Sequence, residues 1–331
     1  MRSALVAILL GLSLQAQAFN CPPSSPGLQD IKAFGYYTDA ANSVRDDAKF
    51  KETHALTKPF EDFASQVSKL SDLYLEKDEP EAAACTITWL ERWAKDRAML
   101  GQMVRVNNDQ SEYVRTWTNA SAAISWNKVR EQASAEQRQV IDAWLKEVSW
   151  ATLGYWSAHP KSKRNNHYYW TGVGVMATAV ATTDADLLKE ARHIYETGLG
   201  EIQDDGELPM EMQRGIRALH YHNFAAMPLV MIAEMARKTG QDWFALREGR
   251  LDRLVARVVT GLREPAWFEH AAGVGPQVIP AQADLCWIPL YRARREQDGS
   301  FEGISVSGGL FQRDLGGTLS LMMAHGVFDP R

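Results

Sequence analysis

The chain is expected to fold as an all-α protein, and three observations lead there. Apolar residues recur at three- and four-residue spacings over Phe60 to Leu75, Ala82 to Leu100, Gln137 to Tyr155, Trp170 to Ala181, Leu187 to Tyr195, Phe224 to Ala236 and Leu251 to Leu262, which is the period of one helical face. Strand alternation is nearly absent, with Ile304-Ser305-Val306-Ser307 the one short run. Breakers fall between the helical stretches, at Asp78-Glu79-Pro80, His159-Pro160, Thr182-Thr183-Asp184, Gly198 to Gly206, Gly240 and Gly273 to Pro280.

Taken from the N-terminus, the first element reads as a secretory signal rather than as part of the fold. Arg2 supplies the positive start, Ala4 to Leu14 the apolar stretch, and Ala16-Gln17-Ala18 the small-x-small cleavage site. Residues 1–18 are therefore expected to be removed, leaving a mature chain from Phe19 and a periplasmic or secreted location. The apolar run is too short to span a bilayer, and no later segment offers a long uncharged apolar run, so no membrane span is expected. The helical stretches follow. Thr183-Asp184 ahead of Ala185-Asp186-Leu187-Leu188 reads as an N-cap. Short connections between helices make antiparallel hairpins, and many hairpins in one chain make an open solenoid or a closed toroid. No 34-residue repeat and no Pro/Gly/Ser linker is seen, so residues 19–331 read as one domain, expected to be a monomer.

The formal charge is -5, and it becomes -6 once Arg2 leaves with the signal (-5 - 1). Such a chain has no global attraction to nucleic acid. A polyanionic partner would need positive charge gathered locally, and Arg214, Arg217, Arg292, Arg294, Arg295 and Arg313 are available for that. The mature chain has Cys21, Cys85 and Cys286. In an oxidising compartment two pair and one is left over; Cys21 with Cys85 is favoured because it would tie down an N-terminal arm. No Cys-x-x-Cys or His-Glu-x-x-His motif suggests a metal.

Chemistry concentrates in two segments, Asn165-Asn166-His167-Tyr168-Tyr169-Trp170 and Arg214-Gly215-Ile216-Arg217-Ala218-Leu219-His220-Tyr221-His222-Asn223. With Met210 to Tyr221 on one helix, Arg214, Arg217 and Tyr221 share a stripe at i, i+3 and i+7. Two guanidiniums beside a phenol suit a bound carboxylate, and they would favour the phenolate. A solvated charged face with a rim tyrosine fits the same spacing. Asn166 and His167 fall near a helix start, where backbone donors attract anions, and Trp170 would stack on a sugar face. Capping for the Asn-His pair and core packing for Trp170 are the plainer alternatives.

In combination and order, these segments resemble the mannuronate-specific alginate lyases, polysaccharide lyase family 5, with a member of broader polyuronate specificity also compatible. The similarity extends to Gly35-Tyr36-Tyr37-Thr38-Asp39, to Trp89-Leu90-Glu91-Arg92-Trp93-Ala94 and to Arg313-Asp314-Leu315-Gly316-Gly317. The resemblance implies an incomplete (α/α) toroid built from antiparallel helical hairpins with a deep substrate groove. It implies that Asn166, His167, Arg214 and Tyr221 are the catalytic four, and that Tyr36 or Tyr37 sits in a lid. Trp170, Arg217 and Arg313 are further candidates for substrate contact, as are His220 and Lys49, for which an ordinary exposed polar residue is the plainer reading.

The implied reaction is β-elimination on an anionic polysaccharide, with no metal or organic cofactor. Asn166, His167 and Arg214 would stabilise charge on the uronate carboxylate as the C5 proton leaves. Tyr221 would take that proton and protonate the departing O4; His167 is an alternative base by its near-neutral ordinary pKa. In mannuronate the C5 hydrogen and O4 lie on one side. Glucuronate differs only at C2, so glucuronan and hyaluronan are compatible, whereas guluronate is inverted at C5. Two other classes remain open from sequence: a toroid glycoside hydrolase using two of Asp204, Asp205, Glu207 and Glu211, and a non-catalytic periplasmic polysaccharide binder.

Overall fold

The computed structural model describes residues 19–106, 108–160, 164–295 and 301–330; the expected signal segment lies outside them. Helix α1 (Asp47–Lys77) begins on Asp46, whose carboxylate accepts from the Ala48 and Lys49 amides at 3.0 Å each. That cap moves the helix start well ahead of Phe60, because the exposed first turns carry no apolar stripe to read. Helix α2 (Pro80–Lys95) opens on a proline, which loses no useful donor there. It stops five residues short of the expected Leu100. Helices α3 (Gln110–Val129), α4 (Ala135–Ser157), α5 (Asn166–Thr182) and α6 (Ala185–Glu201) follow. The α6 start is capped by Asp184, which accepts from the Asp186 and Leu187 amides. A single turn α7 (Pro209–Met212) precedes α8 (Ala218–Ala236), α9 (Leu246–Arg263), α10 (Ala266–Ala272), α11 (Trp287–Arg295) and α12 (Leu319–Ala324).

The helices form two curved layers. α1 packs on α3, α3 on α5 and α5 on α8, while α2, α4, α6 and α9 pack behind them. The inner helices α3, α5 and α8 are buried on nearly every side, as helices enclosed by neighbours must be. α3 accordingly has no polar face and was not among the stretches picked out by periodicity. α11 lies against α8 and α12, and α12 against α1, so the C-terminal segment links the two ends of the arc. Phe63 stacks on Trp93 with centroids 3.5 Å apart, in a core that also holds Trp126, Trp170, Trp243 and Trp287. Each large side chain removed from water contributes about 1.5–3 kcal/mol. No helix among the described residues is long and apolar enough to cross a membrane.

Among the described residues two short sheets are present, and neither is at the expected place. β1 (Ile31–Phe34) pairs in parallel with β2 (Met103–Val106), and β3 (Phe311–Gln312) pairs antiparallel with β4 (Gly317–Thr318). Ile304 to Ser307 forms no strand. Four- and two-residue strands are too short for alternation to register. β1 matters for the site, because it delivers Gly35, Tyr36 and Tyr37 over the inner layer. Thr53 pins its end, accepting from the Phe34 amide at 2.9 Å and donating to the Phe34 carbonyl at 3.1 Å. Cys21 and Cys85 form a disulfide with Cα atoms 5.6 Å apart, tying the N-terminal arm to α2, and Cys286 is a buried thiol.

Candidate active site

The N-terminus of α5 gives three consecutive residues three tasks. Asn165 caps the helix, its side-chain oxygen accepting from the His167 amide at 3.1 Å. Asn166 is completely buried, and both its backbone amide and its Nδ2 donate to Glu211, each at 2.9 Å. His167 turns into a cavity with its ring stacked on Tyr113, centroids 3.6 Å apart and planes 2° apart. Burial, then Arg214, pushes the His167 pKa down to about 3. Its imidazole is therefore neutral at working pH rather than poised near neutrality, and Nδ1 has no hydrogen-bond partner.

The second segment is not one helix. Gly215 takes φ +56° between α7 and a short 3-10 turn, Gly215–Arg217, before α8 begins. The expected stripe of Arg214, Arg217 and Tyr221 is broken there, because a left-handed residue ends the helical progression. Arg214 still meets Tyr221, its guanidinium carbon lying 3.5 Å from the ring centroid. Arg214 Nε and Nη2 also donate to the Ala41 and Asn42 carbonyls at 2.8 and 3.1 Å. Arg217 is drawn away to the Ser43 carbonyl, at 2.8 Å.

Those carbonyls belong to a loop that covers the site. Asp39 braces it by accepting from the Ser43 and Val44 amides at 2.8 Å and from the Ser43 hydroxyl at 2.7 Å. The loop carries both lid tyrosines. Tyr37 is the one that reaches Tyr221, their hydroxyls 2.9 Å apart. Tyr36 packs between Tyr37 and Phe50, and burial raises its pKa to about 12. Tyr221 is also buried. Desolvation carries its pKa well above the ordinary 10, although Arg214 pulls the other way. The expectation that the arginines make it a resting phenolate is thus reversed: burial outweighs one stacked guanidinium, and Arg217 has turned to the loop.

Tyr37, His167, Arg214, His220 and Tyr221 line one cavity of about 320 Å³. Asn166 sits behind His167, outside the lining. His220 is neutral, its pKa lowered to about 4 by burial and then by Arg217 and Arg214. Gln110, Tyr113 and Trp117 supply a further wall from α3. They were missed in sequence, although their i, i+3, i+7 spacing on one helix face was a readable signal.

Trp170, Arg313 and Lys49 lie outside this cavity. Trp170 is fully enclosed, donating Nε1 to the Phe224 carbonyl at 3.1 Å, and offers no face to a sugar. Phe224 stands between it and the cavity. Arg313 lines an adjoining cavity of about 210 Å³, which shares Tyr36, Gln110 and Trp117 with the first. There it pairs with Glu61 at 2.9 Å and with Asp314 at 2.8 Å, so its charge is already matched. Lys49 lies on exposed α1, 3.7 Å from Asp46.

The carboxylates considered for hydrolysis do not converge. Asp204 is exposed and pairs with Arg253 and Arg250. Asp205 lies 3.9 Å from Arg257 and accepts from the Glu207 amide. Glu211 is buried on Asn166. None of the four lines the cavity, so they do not form the carboxylate pair that hydrolysis needs there.

A curved double layer of helical hairpins, with a phenol, a guanidinium and an imidazole gathered in its groove, defines the class: a polysaccharide lyase on an incomplete (α/α) toroid. Comparison with known proteins gives the family. The alginate lyase family model matches residues 30–268, and the chain belongs to that family. A polysaccharide lyase of Stenotrophomonas maltophilia (strain K279a) is 47% identical over 97% of this chain and 96% of its own length. An alginate lyase of Pseudomonas putida (strain F1) is 35% identical over 75% of this chain and 68% of its own. Among solved structures, alginate lyase A1-III from Sphingomonas species A1 superposes with TM-score 0.77 at 26% identity, covering 92% of this chain and 87% of that one. A His→Ala variant of A1-III complexed with a tetrasaccharide superposes with TM-score 0.80 at 26% identity, covering 93% and 87%.

Proposed function

We propose that this lyase depolymerises β-1,4-linked polyuronates, poly-β-D-mannuronate of alginate foremost, by β-elimination that leaves 4,5-unsaturated uronate ends. The single observation that carries the reading is the meeting of Tyr221, Arg214 and neutral His167 around one cavity. The C5 hydrogen of a uronate becomes acidic only if the charge building on its carboxylate is stabilised. Arg214 supplies a cation and His167 a neutral donor at the cavity wall, with the Asn166 amide behind His167, and one such donor is worth about 2.7–4 kcal/mol of barrier. Tyr221 takes the C5 hydrogen and returns a proton to O4 on the same face. It rests protonated, so its proton must first leave. The Tyr37 hydroxyl at 2.9 Å accepts it while passing its own proton to bulk water, and Arg214 over the ring stabilises the phenolate formed.

A second reading makes His167 the base. Its unpartnered Nδ1 and its neutrality favour that reading, whereas a pKa of about 3 makes it a weak base. The two give different pH profiles, described below.

The reacting C4–C5 bond is the same in glucuronate, so glucuronan and the glucuronate linkage of hyaluronan are slower or comparable substrates. Poly-guluronate is a poor one. In this reading the enzyme acts as a monomer in the periplasm; the Cys21–Cys85 disulfide, which suits an oxidising compartment, supports the location. The ultraviolet absorbance of unsaturated products on poly-mannuronate, poly-glucuronate and poly-guluronate tests the assignment. No absorbance on any, or the fastest rise on poly-guluronate, overturns it.

A further inference from the structure

Glu211 joins the two chemistry-bearing segments. It lies on α7, three residues before Arg214, and its carboxyl reaches the first residue of α5. Oε1 accepts the Asn166 backbone amide, and Oε2 faces the end of the Asn166 side chain at 2.9 Å. Both residues are enclosed, Glu211 at 1% exposure and Asn166 at 0%, so every polar atom there must find its partner within the protein or in a ligand.

With the Asn166 nitrogen on Glu211, the account does not close. The side-chain oxygen of Asn166 is buried with no donor near it. Oxygen and nitrogen of a carboxamide exchange places by a half turn about the terminal bond. After that turn, Oδ1 lies on Glu211 and needs a hydrogen, which a carboxylic acid supplies and a carboxylate does not. Nδ2 then takes the place of the orphan oxygen. The surroundings favour the acid. Burial raises the Glu211 pKa, against the two Asn166 hydrogen bonds and then Arg214, which lower it; Glu201 at the end of α6 is itself raised by burial and then by the Glu211 charge. Tyr169 also faces this cluster, its hydroxyl on Glu201. On α8, His222 is neutral and accepts from the Leu208 amide. On α10, Glu269 packs against Gly275 and His270 is exposed.

We propose that Glu211 is a positioning residue for the elimination, acting as a carboxylic acid whose O–H holds Asn166 Oδ1, so that the Asn166 Nδ2 donor is left free for the substrate. This deepens the proposed function and rests on its reading that Asn166 serves the uronate carboxylate. An oxygen presented to that carboxylate would repel it, whereas a nitrogen in the same place donates.

The test compares the wild type with Glu211→Gln, Glu211→Ala and Asn166→Ala on poly-mannuronate, reading kcat and KM separately. Glutamine accepts from the Asn166 amide through its oxygen and donates to Oδ1 through its nitrogen, so it copies the acid. Expected are a kcat for Glu211→Gln within about threefold of wild type and a loss of about 10–100-fold for Glu211→Ala with KM little changed. Asn166→Ala should lose about 100-fold or more. Infrared difference spectra of wild type against Glu211→Gln report the proton directly, through a protonated-carboxyl carbonyl band present only in the wild type, and they need no turnover. A folded Glu211→Gln enzyme as inactive as Glu211→Ala, or spectra with carboxylate bands alone, overturns the inference and leaves the lyase assignment standing. Full turnover in Asn166→Ala instead removes the reading beneath it.

Discussion

The hydroxyls of Tyr37 and Tyr221 lie 2.9 Å apart across 184 positions of sequence. One comes from the covering loop and the other from the start of α8, so the loop contributes a hydrogen-bonding group to the reacting centre. Replacing Tyr221 by Phe should lower kcat on poly-mannuronate by about 10²–10⁴-fold, the usual worth of a positioned acid–base group. KM should stay within a few-fold. Tyr37→Phe removes the route for the Tyr221 proton and should cost about 10–100-fold in kcat. Steady-state kinetics on both variants check this, and an undiminished kcat in Tyr221→Phe would exclude it as base.

The pH dependence separates the two candidate bases. Tyr221 has a pKa raised above 10 by burial, so the phenolate fraction grows with each step in pH. If it is the base, kcat climbs throughout the alkaline range in which the protein stays folded. His167, with a pKa near 3, is fully deprotonated above about pH 5. If it is the base, kcat is flat from there upward. A kcat profile from pH 5 to pH 10 decides.

Acid should unfold the protein through its histidines. His167, His220 and His222 have folded pKa values near 3, 4 and 4, against about 6.5 when unfolded. Between those values the unfolded chain binds more protons, so stability falls as pH drops from about 6.5 toward 4. The thermal midpoint should decrease by about 5 °C or more over that window. A midpoint that is constant there would mean that these imidazoles are not held neutral.

Arg217 is expected to serve the loop rather than the sugar. Its Nε on the Ser43 carbonyl is a charge-assisted bond worth about 1.5–3 kcal/mol. Arg217→Ala should accelerate hydrogen exchange over residues 38–46 and raise KM by about 5–30-fold, with a smaller change in kcat. Unchanged exchange in that loop would detach Arg217 from it.

Breaking the Cys21–Cys85 disulfide should cost about 2–4 kcal/mol of stability, because it closes a long loop in the unfolded chain. Neither cysteine lines the cavity, so kcat at low temperature should survive. Urea unfolding of a Cys21→Ser, Cys85→Ser double variant checks the first statement, and assay of the same protein the second.

Much of the fold was legible because its outer helices bury one face. The period of Leu187 to Tyr195 and of Leu251 to Leu262 registers that directly. α3 was not picked out for the opposite reason: enclosed on all sides, it replaces an apolar stripe with Ala, Ser and Thr packed closely. The same concealment hid Gln110, Tyr113 and Trp117 as cavity lining. Within the site, His167, Arg214, His220 and Tyr221 came together as their residue types suggested. Trp170 did not, since an indole one turn into a buried helix has no open side. Phenol ionisation could not be read from sequence either, because two nearby arginines were visible and the cost of burial was not. Nor could the break at Gly215, where a glycine permits the turn without announcing it.

The opening of α5 leaves no slack in its residue order. Asn165 closes the helix end, Asn166 grips Glu211 and His167 enters the cavity, so neighbouring positions point about 100° apart around the axis. Inserting or deleting a single residue at this junction would swing all three at once, putting an imidazole where a cap belongs and an amide against Tyr113. The spacing from cap to cavity therefore admits no indel.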